Sequence, residues 1–535
     1  MAERILRGRS ASPGLAIGPL VRQMSPELSF RLGETVDPLQ ERARFDDALQ
    51  RAREQLQALA ATSDEMSAEI LEFQLEVLAD SSLAEETSAA IGPECPAFLA
   101  WHQVLQPQIM SYEEAEDEYF RARAGDMKDV EQRVLRALGG VDDQAATLPP
   151  GAILVDDDLT PSAFLALNWR TLGGIALERG SPTAHVAMLA RARGVPMATN
   201  LGEFHESGEA VLDAEAGRLV VRPEPATRDR YLERLGRRRL EDARAAALLT
   251  RLATTAAGER VEVMLNVDDP AAVGDDVLDA ADGVGLFRTE FLFIGRDRLP
   301  DEGEQLCAYR RLLERLRGKP CIVRTLDIGG DKPLPGLQLP AETNPFLGLR
   351  GLRLCLDRKD LFRPQVRALL RAAAFGPLKV MLPMVATADE YQEARAFVAT
   401  CHAELEGEGI QAKLPPLGIM VETPAAAVAI DLIPADFYSI GSNDLTQYVM
   451  AASRDAGGRV AGLLDPLQPA VLRLIEGVVR HGSATGIPVS LCGDMGSEPV
   501  AVAKLLSLGL RRFSVAPAAL GRVKLAISGY GRADG

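Results

Sequence analysis

The chain has 535 residues, 47% of them hydrophobic, and 76 acidic against 59 basic side chains give it a formal charge of −17. That charge repels nucleic acid, and the length exceeds a minimal binding module, predicting roughly two to four packed domains. Six scattered cysteines form no Cys-x-x-Cys pair and have no histidines at ligand spacing, which argues against a zinc site or a disulfide framework.

The first residues, Met1 to Gly8, lack the apolar core of a signal peptide, and no run reaches the roughly 18 apolar residues that span a bilayer. A cytoplasmic location is therefore expected. Residues 3 to 22 are short apolar stretches broken by Ser12-Pro13-Gly14 and read as strands along one edge of a sheet. From Pro38 to Leu138 apolar residues recur at helical spacing, as in Leu71, Leu75, Leu78 and Val130, Val134, Leu135, which predicts a helical bundle. Pro149-Pro150-Gly151 ends that pattern. Strand-like runs at Ala152 to Val155, Gly174 to Leu177, Ala210 to Leu212 and Leu219 to Val221 then predict an α/β unit. Thr227 to Leu252 is rich in arginine and poor in large apolar residues, so it reads as a solvated helical connector that lets the domains move. After Gly258, short apolar stretches near Val261, Gly283, Cys321, Leu378, Leu417, Phe437, Val489 and Arg512 alternate with helical periodicity, the pattern of a (β/α)8 barrel.

Chemistry in such a barrel collects at the C-terminal ends of its strands, where this chain places Arg288, Arg324, Glu422, Asn443, Asp444 and Cys492. Two arginines at strand ends offer permanently charged forks for phosphate or carboxylate oxygens; the alternative is an ion pair with Glu290 or Asp327. Glu422 and Asp444 are hard oxygen donors suited to magnesium with a substrate phosphate, or else N-caps. Cys492 ends an apolar strand, as a buried inert thiol also does. Together these groups describe a pocket for an anion with both phosphate and carboxylate, a divalent metal and a thiol. Of five histidines, His102, His402, His481 and His205 sit in ordinary helical or loop contexts. His185 follows Gly180-Ser181-Pro182-Thr183-Ala184 and opens an apolar helix, where free backbone N–H groups favour a phosphoryl group. Thr160, in Asp158-Leu159-Thr160-Pro161, is either a hydroxyl partner or an N-cap.

At these residues the sequence resembles the bacterial phosphoenolpyruvate-protein phosphotransferases, enzyme I of the sugar phosphotransferase system, over nearly the whole chain. The similar segments include Ser12 to Ala16, Asp126 to Val130, Asp158 to Ser162, the His185 loop, Gly283 to Phe293, Arg324 to Lys332, Asn344 to Arg350, Gly418 to Ala426 and Gly441 to Tyr448. The resemblance implies a swivelling phosphohistidine domain (1–24 with 139–226), a helical insert that binds the phosphocarrier protein HPr or an HPr-like domain (25–138), a linker helix (227–257) and a phosphoenolpyruvate-binding barrel (258–535) that forms a homodimer. It implies that His185 is phosphorylated and that Arg288, Arg324, Asn443, Asp444 and Arg454 bind phosphoenolpyruvate, with Arg350 and Lys332 lining the pocket. Glu422 and Asp444 are implied to hold Mg2+, and Cys492 to donate a proton. Three positions depart from the family pattern. Ala184 replaces the usual serine, which predicts slower transfer, and Gln74 stands where histidine is common, which bears on carrier preference. The chain also stops soon after Leu525, without an expected closing helical segment, which bears on dimer strength. A dikinase or phosphoenolpyruvate synthase shares this histidine domain and barrel, but the region before Pro149 is too short and too helical for an ATP-binding domain. A regulatory paralogue with weak transfer is the other alternative, supported by Ala184.

Overall fold

A computed structural model of the protein describes residues 3–22, 35–61, 65–113, 118–140, 148–182, 184–293, 298–329, 342, 344–453, 460 and 462–531. The expected substrate ligands Lys332 and Arg454 lie outside the described residues. Contacts divide the chain into two units, Met1–Arg238 and Arg239–Gly535.

The first unit begins with β1 (Arg4–Arg7), β2 (Arg9–Ser12) and β3 (Leu15–Arg22), followed by five helices, α1 (Pro38–Ala60), α2 (Glu65–Ala79), α3 (Ser81–Ala90), α4 (Ala97–Glu113) and α5 (Glu118–Leu138). Asp37 starts α1 by accepting from Leu39 N, with Pro38 in the first turn, where its missing N–H costs nothing. The helices bury Phe45, Leu56, Leu71, Trp101, Val130 and Val134 in one apolar core, as their spacing requires. The chain then alternates through β4 (Ile153–Asp156), α6 (Pro161–Ala166), β5 (Gly174–Leu177), α7 (His185–Ala192), β6 (Met197–Thr199), β7 (Gly208–Asp213) and β8 (Arg218–Val221). These strands form one sheet in the order β1-β8-β7-β3-β4-β5-β6-β2. The first residues are thus not all at an edge. β1 and β2 take the two edges, whereas β3 lies inside, antiparallel to β7 and parallel to β4.

Helix α8 (Pro225–Leu248) carries the chain from the first unit into the second. Tyr231 and Arg234 in its first half each donate to Asp213 at 3.0 Å.

In the second unit, β9 (Glu262–Val267), β10 (Val284–Phe287), β11 (Cys321–Arg324), β12 (Leu378–Leu382), β13 (Leu417–Val421), β14 (Tyr438–Ile440), β15 (Val489–Leu491) and β16 (Arg512–Val515) pair in parallel. β16 closes on β9, with Val515 opposite Leu265, so the eight expected strands form a closed barrel. Side chains alternate between the two faces of each strand. Val323, Val380, Leu382, Ile419 and Val421 point outward into the core under the helices. Ile322, Met381, Met420 and Cys492 fill the interior with Leu286 and Phe437. The same alternation carries Arg288, Arg324 and Glu422, two residues beyond Leu286, Ile322 and Met420, to the mouth of the barrel. Buried Lys524 donates to Leu249 O, Arg251 O and Ala280 O at 2.6–2.8 Å, which ties the last helix (Leu520–Gly529) to the chain that enters the barrel. No helix among the described residues is long and apolar enough to cross a membrane.

Candidate active site

The barrel mouth encloses a cavity of about 460 Å³ whose walls include Arg288, Arg324, Arg350, Glu422, Asn443, Asp444 and Cys492. Seven of the expected residues therefore meet at one place. They are held by an alternating chain of carboxylates and guanidiniums. Arg324 donates to Glu290 Oε1 at 2.8 Å and pairs with Asp327 at 3.0 Å. Asp327 in turn accepts two bonds from Arg350, each 3.0 Å, and Arg350 grips Asp444 at 3.0 and 3.3 Å. The surrounding carboxylates, Glu290 and Asp327 for Arg324 and Asp327 and Asp444 for Arg350, outweigh burial and hold both guanidiniums charged. So the ion-pair alternative holds at Arg324, while Arg288 pairs instead with Asp268 at 2.8 Å. Yet among the described residues buried Arg324 Nε and Glu290 Oε2 have no hydrogen-bond partner. An unpaired buried donor in a cavity wall is what an anionic ligand satisfies.

Glu422 is fully buried and accepts from Met384 N at 2.6 Å. Burial first, then the neighbouring Asp327 and Asp444 carboxylates, push its pKa up to about 8. Met384 has a left-handed backbone, φ +57°, that brings its N–H to this carboxylate. Gly441 follows β14 because a Cβ there would stand 3.0 Å from Glu422 Oε2. Asn443 and Asp444 lie in the first turn of the helix Ser442–Met450. The Asn443 amide is engaged by Asp494, donating at 2.9 Å and accepting from its N–H at 3.0 Å. Cys492 donates to Ile440 O at 3.6 Å, and burial pushes its thiol up to about 11.

In the first unit, His185 is the first residue of α7, preceded by Ala184, which makes no side-chain cap bond. The ring is about 10% exposed and its Nδ1 lies 3.1 Å from both oxygens of fully buried Asp126 on α5. Thr160 is the N-cap of α6, accepting from Ala163 N at 3.4 Å. Thr160 and His185 also share the wall of a cavity of about 300 Å³ with Lys128, Asp157, Asp158 and Arg179. Gln74 is buried and donates to Asp129 at 3.0 Å. His102 pairs with Glu131 at 2.6 Å, and His402 and His481 belong to barrel helices.

Reading the sequence gave no role to Asp126, although it stands in a quoted segment, and weighed Glu290 and Asp327 only as ion-pair partners. The signal was the three-residue step from Asp126 to Asp129, which puts two carboxylates on one helix face.

Comparison with known proteins agrees with this geometry. The family models for PEP-utilising enzymes match along the chain in order, the N-terminal domain at residues 7–123, the mobile domain at 148–217 and the PEP-binding domain at 242–531. The protein is thus of the PEP-utilising class. Phosphoenolpyruvate-protein phosphotransferase of Bacillus sp. (strain S) is 39% identical over 96% of this chain and 91% of its own. That of Priestia megaterium is 37% identical over 99% and 94%. A solution NMR structure of an Enzyme I protein, 27% identical, covers 43% of this chain and 97% of its own with a TM-score of 0.37. The chain belongs to the phosphoenolpyruvate-protein phosphotransferase family.

Proposed function

We propose that the protein takes the phosphoryl group of phosphoenolpyruvate onto His185, releases pyruvate, and passes the group to HPr or an HPr-like domain, the first step of the phosphotransferase system. The observation that carries this reading is the convergence of Arg288, Arg324, Glu422, Asp444 and Cys492 on one cavity with unpaired buried polar atoms. Arg288, Arg324, Asn443, Asp444 and Arg454 bind phosphoenolpyruvate in this reading, the arginines taking its negative oxygens, and Arg350 and Lys332 line the pocket. The P–O bond to the enol oxygen breaks as an N–P bond forms at His185, and the enolate left behind takes a proton at carbon from the Cys492 thiol. The thiolate then recovers its proton from water.

Glu422 and Asp444 are the residues to hold Mg2+. Their fit rests on the crowding of Glu422 by Asp327 and Asp444, which a divalent cation relieves, and on an all-oxygen donor set. Two protein carboxylates would leave the remaining positions to substrate and water. When bound, the ion neutralises charge that develops on the transferring group.

In this reading residues 1–24 with 139–226 form the swivelling phosphohistidine domain, 25–138 dock the carrier, 227–257 link, and the barrel of 258–535 forms a homodimer, all in the cytoplasm. His185 and the barrel mouth belong to different units, so turnover requires His185 to visit both the barrel and the carrier.

The test is to incubate the protein with radiolabelled phosphoenolpyruvate and Mg2+, with and without ATP. Acid-labile label without ATP, lost in His185→Ala, is expected. Label that requires ATP or AMP points to a dikinase, and no label points to the regulatory paralogue that Ala184 suggests. Label that persists in His185→Ala refutes the site.

A further inference from the structure

We infer that Ser439 and Ser490 form a hydroxyl relay that returns a proton to the Cys492 sulfur from the N-terminal end of the barrel; this deepens, and rests on, the reading of Cys492 as the acid that protonates the enolate. The barrel interior is divided in two. Leu286, Ile322, Met381, Met420 and Phe437 make one half apolar. The other half, from β14 round to β9, carries polar side chains where burial of an unbonded hydroxyl costs free energy. Tyr438, Ile440, Val489 and Leu491 point outward into the core under the helices, so Ser439 and Ser490 between them point inward. Ser514 lies likewise between Phe513 and Val515, and Asn266 between Leu265 and Val267. Among the described residues, Asn266 Oδ1 and the hydroxyls of Ser439 and Ser514 are buried without an oxygen or nitrogen partner. Such atoms call for a reason, and Cys492 at the head of this half supplies one.

A path of hydroxyls runs from the thiol to solvent. Ser439 is fully buried and its hydroxyl bonds the Cys492 sulfur; burial pushes the thiol up, and this bond works against it. Ser490 stands in register with Ser439 on the neighbouring strand. Strand spacing puts the two backbones about 4.8 Å apart, a gap that rotating hydroxyls close. Ser490 Oγ already turns that way, toward Tyr438 O at 3.4 Å, and it lies on the wall of a second barrel cavity, of about 160 Å³. Glu262, which opens β9, and Arg512, which opens β16, share that wall, so the cavity is at the end of the barrel opposite the mouth. The two are paired at 3.2 Å and both are partly exposed, which brings solvent to this end of the path.

The relay acts where the mouth is blocked. Cys492 faces the cavity that takes substrate, so the pyruvate it has just protonated lies between the thiolate and water on that side. From behind, the Ser439 O–H gives its proton to sulfur, the Ser490 O–H gives its proton to the Ser439 oxygen, and water in the second cavity restores Ser490. Each hydroxyl ends as it began, the thiolate becomes a thiol, and the proton is drawn from solvent. Reprotonation is thereby separated from product release.

Carbon and hydrogen exchange separate a relay from a structural role. The full-length chain is mixed with phosphoenolpyruvate, 13C-labelled pyruvate and Mg2+ in D2O, and mass spectrometry follows 13C and deuterium as they pass between the two pools. Carbon exchange needs no solvent proton, because the thiolate left by one pyruvate takes hydrogen from the next. Wild type should place about one deuterium on the methyl carbon for each carbon skeleton exchanged. In Ser439→Ala, carbon exchange should continue while deuterium per exchange falls by about 10²-fold, the effect of losing a positioned proton-transfer group. Ser490→Ala should lower the same ratio, and Ser490→Thr, which keeps the hydroxyl, should restore it; this pair decides the matter if Ser439→Ala does not fold. A wild-type chain that exchanges carbon without deuterium, or a Ser439→Ala chain with the wild-type ratio, overturns the inference. So does a ratio that collapses in Ser514→Ala and not in Ser439→Ala. A wild-type chain that exchanges no carbon, or a Cys492→Ala chain with wild-type deuterium uptake, overturns the functional reading instead.

Discussion

Replacing Cys492 by alanine tests the chemical half of the reaction separately from substrate binding. Burial pushes the thiol up to about 11, so at pH 9 only about 1% is thiolate and the proton remains available across the neutral range. Protonation is the active form here, so raising the pKa moves the loss of the acid to higher pH. The pyruvate-forming rate should therefore show no falling limb from this group below about pH 10, whereas an ordinary thiol would impose one near pH 8.5. A positioned general acid contributes about 10²- to 10⁴-fold, equivalent to about 3–5 kcal/mol of barrier. The structural cost is smaller. Cys492 packs with Leu286, Ile322, Met381, Met420 and Phe437, and removing one sulfur from that cluster costs about 1 kcal/mol, well inside the stability of an ordinary fold. The assay is pyruvate release followed by coupled oxidation of a nicotinamide cofactor, with phosphoenolpyruvate binding measured by calorimetry. Cys492→Ala should bind substrate within about threefold of wild type and turn over about 10²- to 10⁴-fold more slowly. An unchanged rate, or a wild-type limb near pH 8.5 that vanishes in the variant, would refute the reasoning.

Other predictions follow from the same contacts. Arg324→Lys keeps the charge but cannot bond Glu290 and Asp327 while presenting a fork to substrate, so calorimetry should show phosphoenolpyruvate affinity down by about 10- to 100-fold; a change under twofold contradicts the role. Asp156, at the end of β4, has its pKa raised to about 6 by burial and, less strongly, by Asp157 and Asp158. Its folded pKa lies above the unfolded value, so the stability it contributes is full below about pH 4 and is lost as pH rises through 6. Asp156→Asn should thus gain up to about 3 kcal/mol over wild type between pH 4 and 8 in urea unfolding, and a difference independent of pH would show the carboxyl to be unstrained. Lys524→Met leaves three carbonyls without their ammonium donor and should destabilise the barrel unit by about 3 kcal/mol or more; an unchanged denaturation midpoint would refute this.

What was legible in the sequence was local or periodic. The step from Ile322 to Arg324 and from Met420 to Glu422 keeps side-chain parity, so eight apolar runs sufficed to place both at a barrel mouth. β6 was missed because three residues, Met197–Thr199, show no alternation. The interior position of β3 depends on pairing with β7 nearly two hundred residues later, which no local pattern encodes. Asp126 was missed for the same reason, since its partner is 59 residues away on another element. The left-handed backbone at Met384 carried no residue-type signal, because glycine or asparagine usually marks such a position.

A cavity built for an anion might be expected to favour cations, yet its described wall carries Asp268, Glu290, Asp327, Glu422 and Asp444 against three arginines. The alternating chain accounts for this. Each buried guanidinium needs carboxylates to hold its fork in one orientation before substrate arrives, because orienting it during the reaction would cost reorganisation energy. Arg324 bridges Glu290 and Asp327, and Arg350 bridges Asp327 and Asp444, so the carboxylate proposed to bind metal is braced by the same arginine that braces Arg324's partner. Burial and the neighbouring Asp327 and Asp444 raise Glu422 to about 8, so this carboxyl holds a proton at neutral pH, and in the proposed reading a divalent cation takes that proton's place. In that reading metal and anion would favour each other's binding, and calorimetry should then show phosphoenolpyruvate affinity rising with Mg2+ occupancy; affinity independent of Mg2+ would refute the coupling.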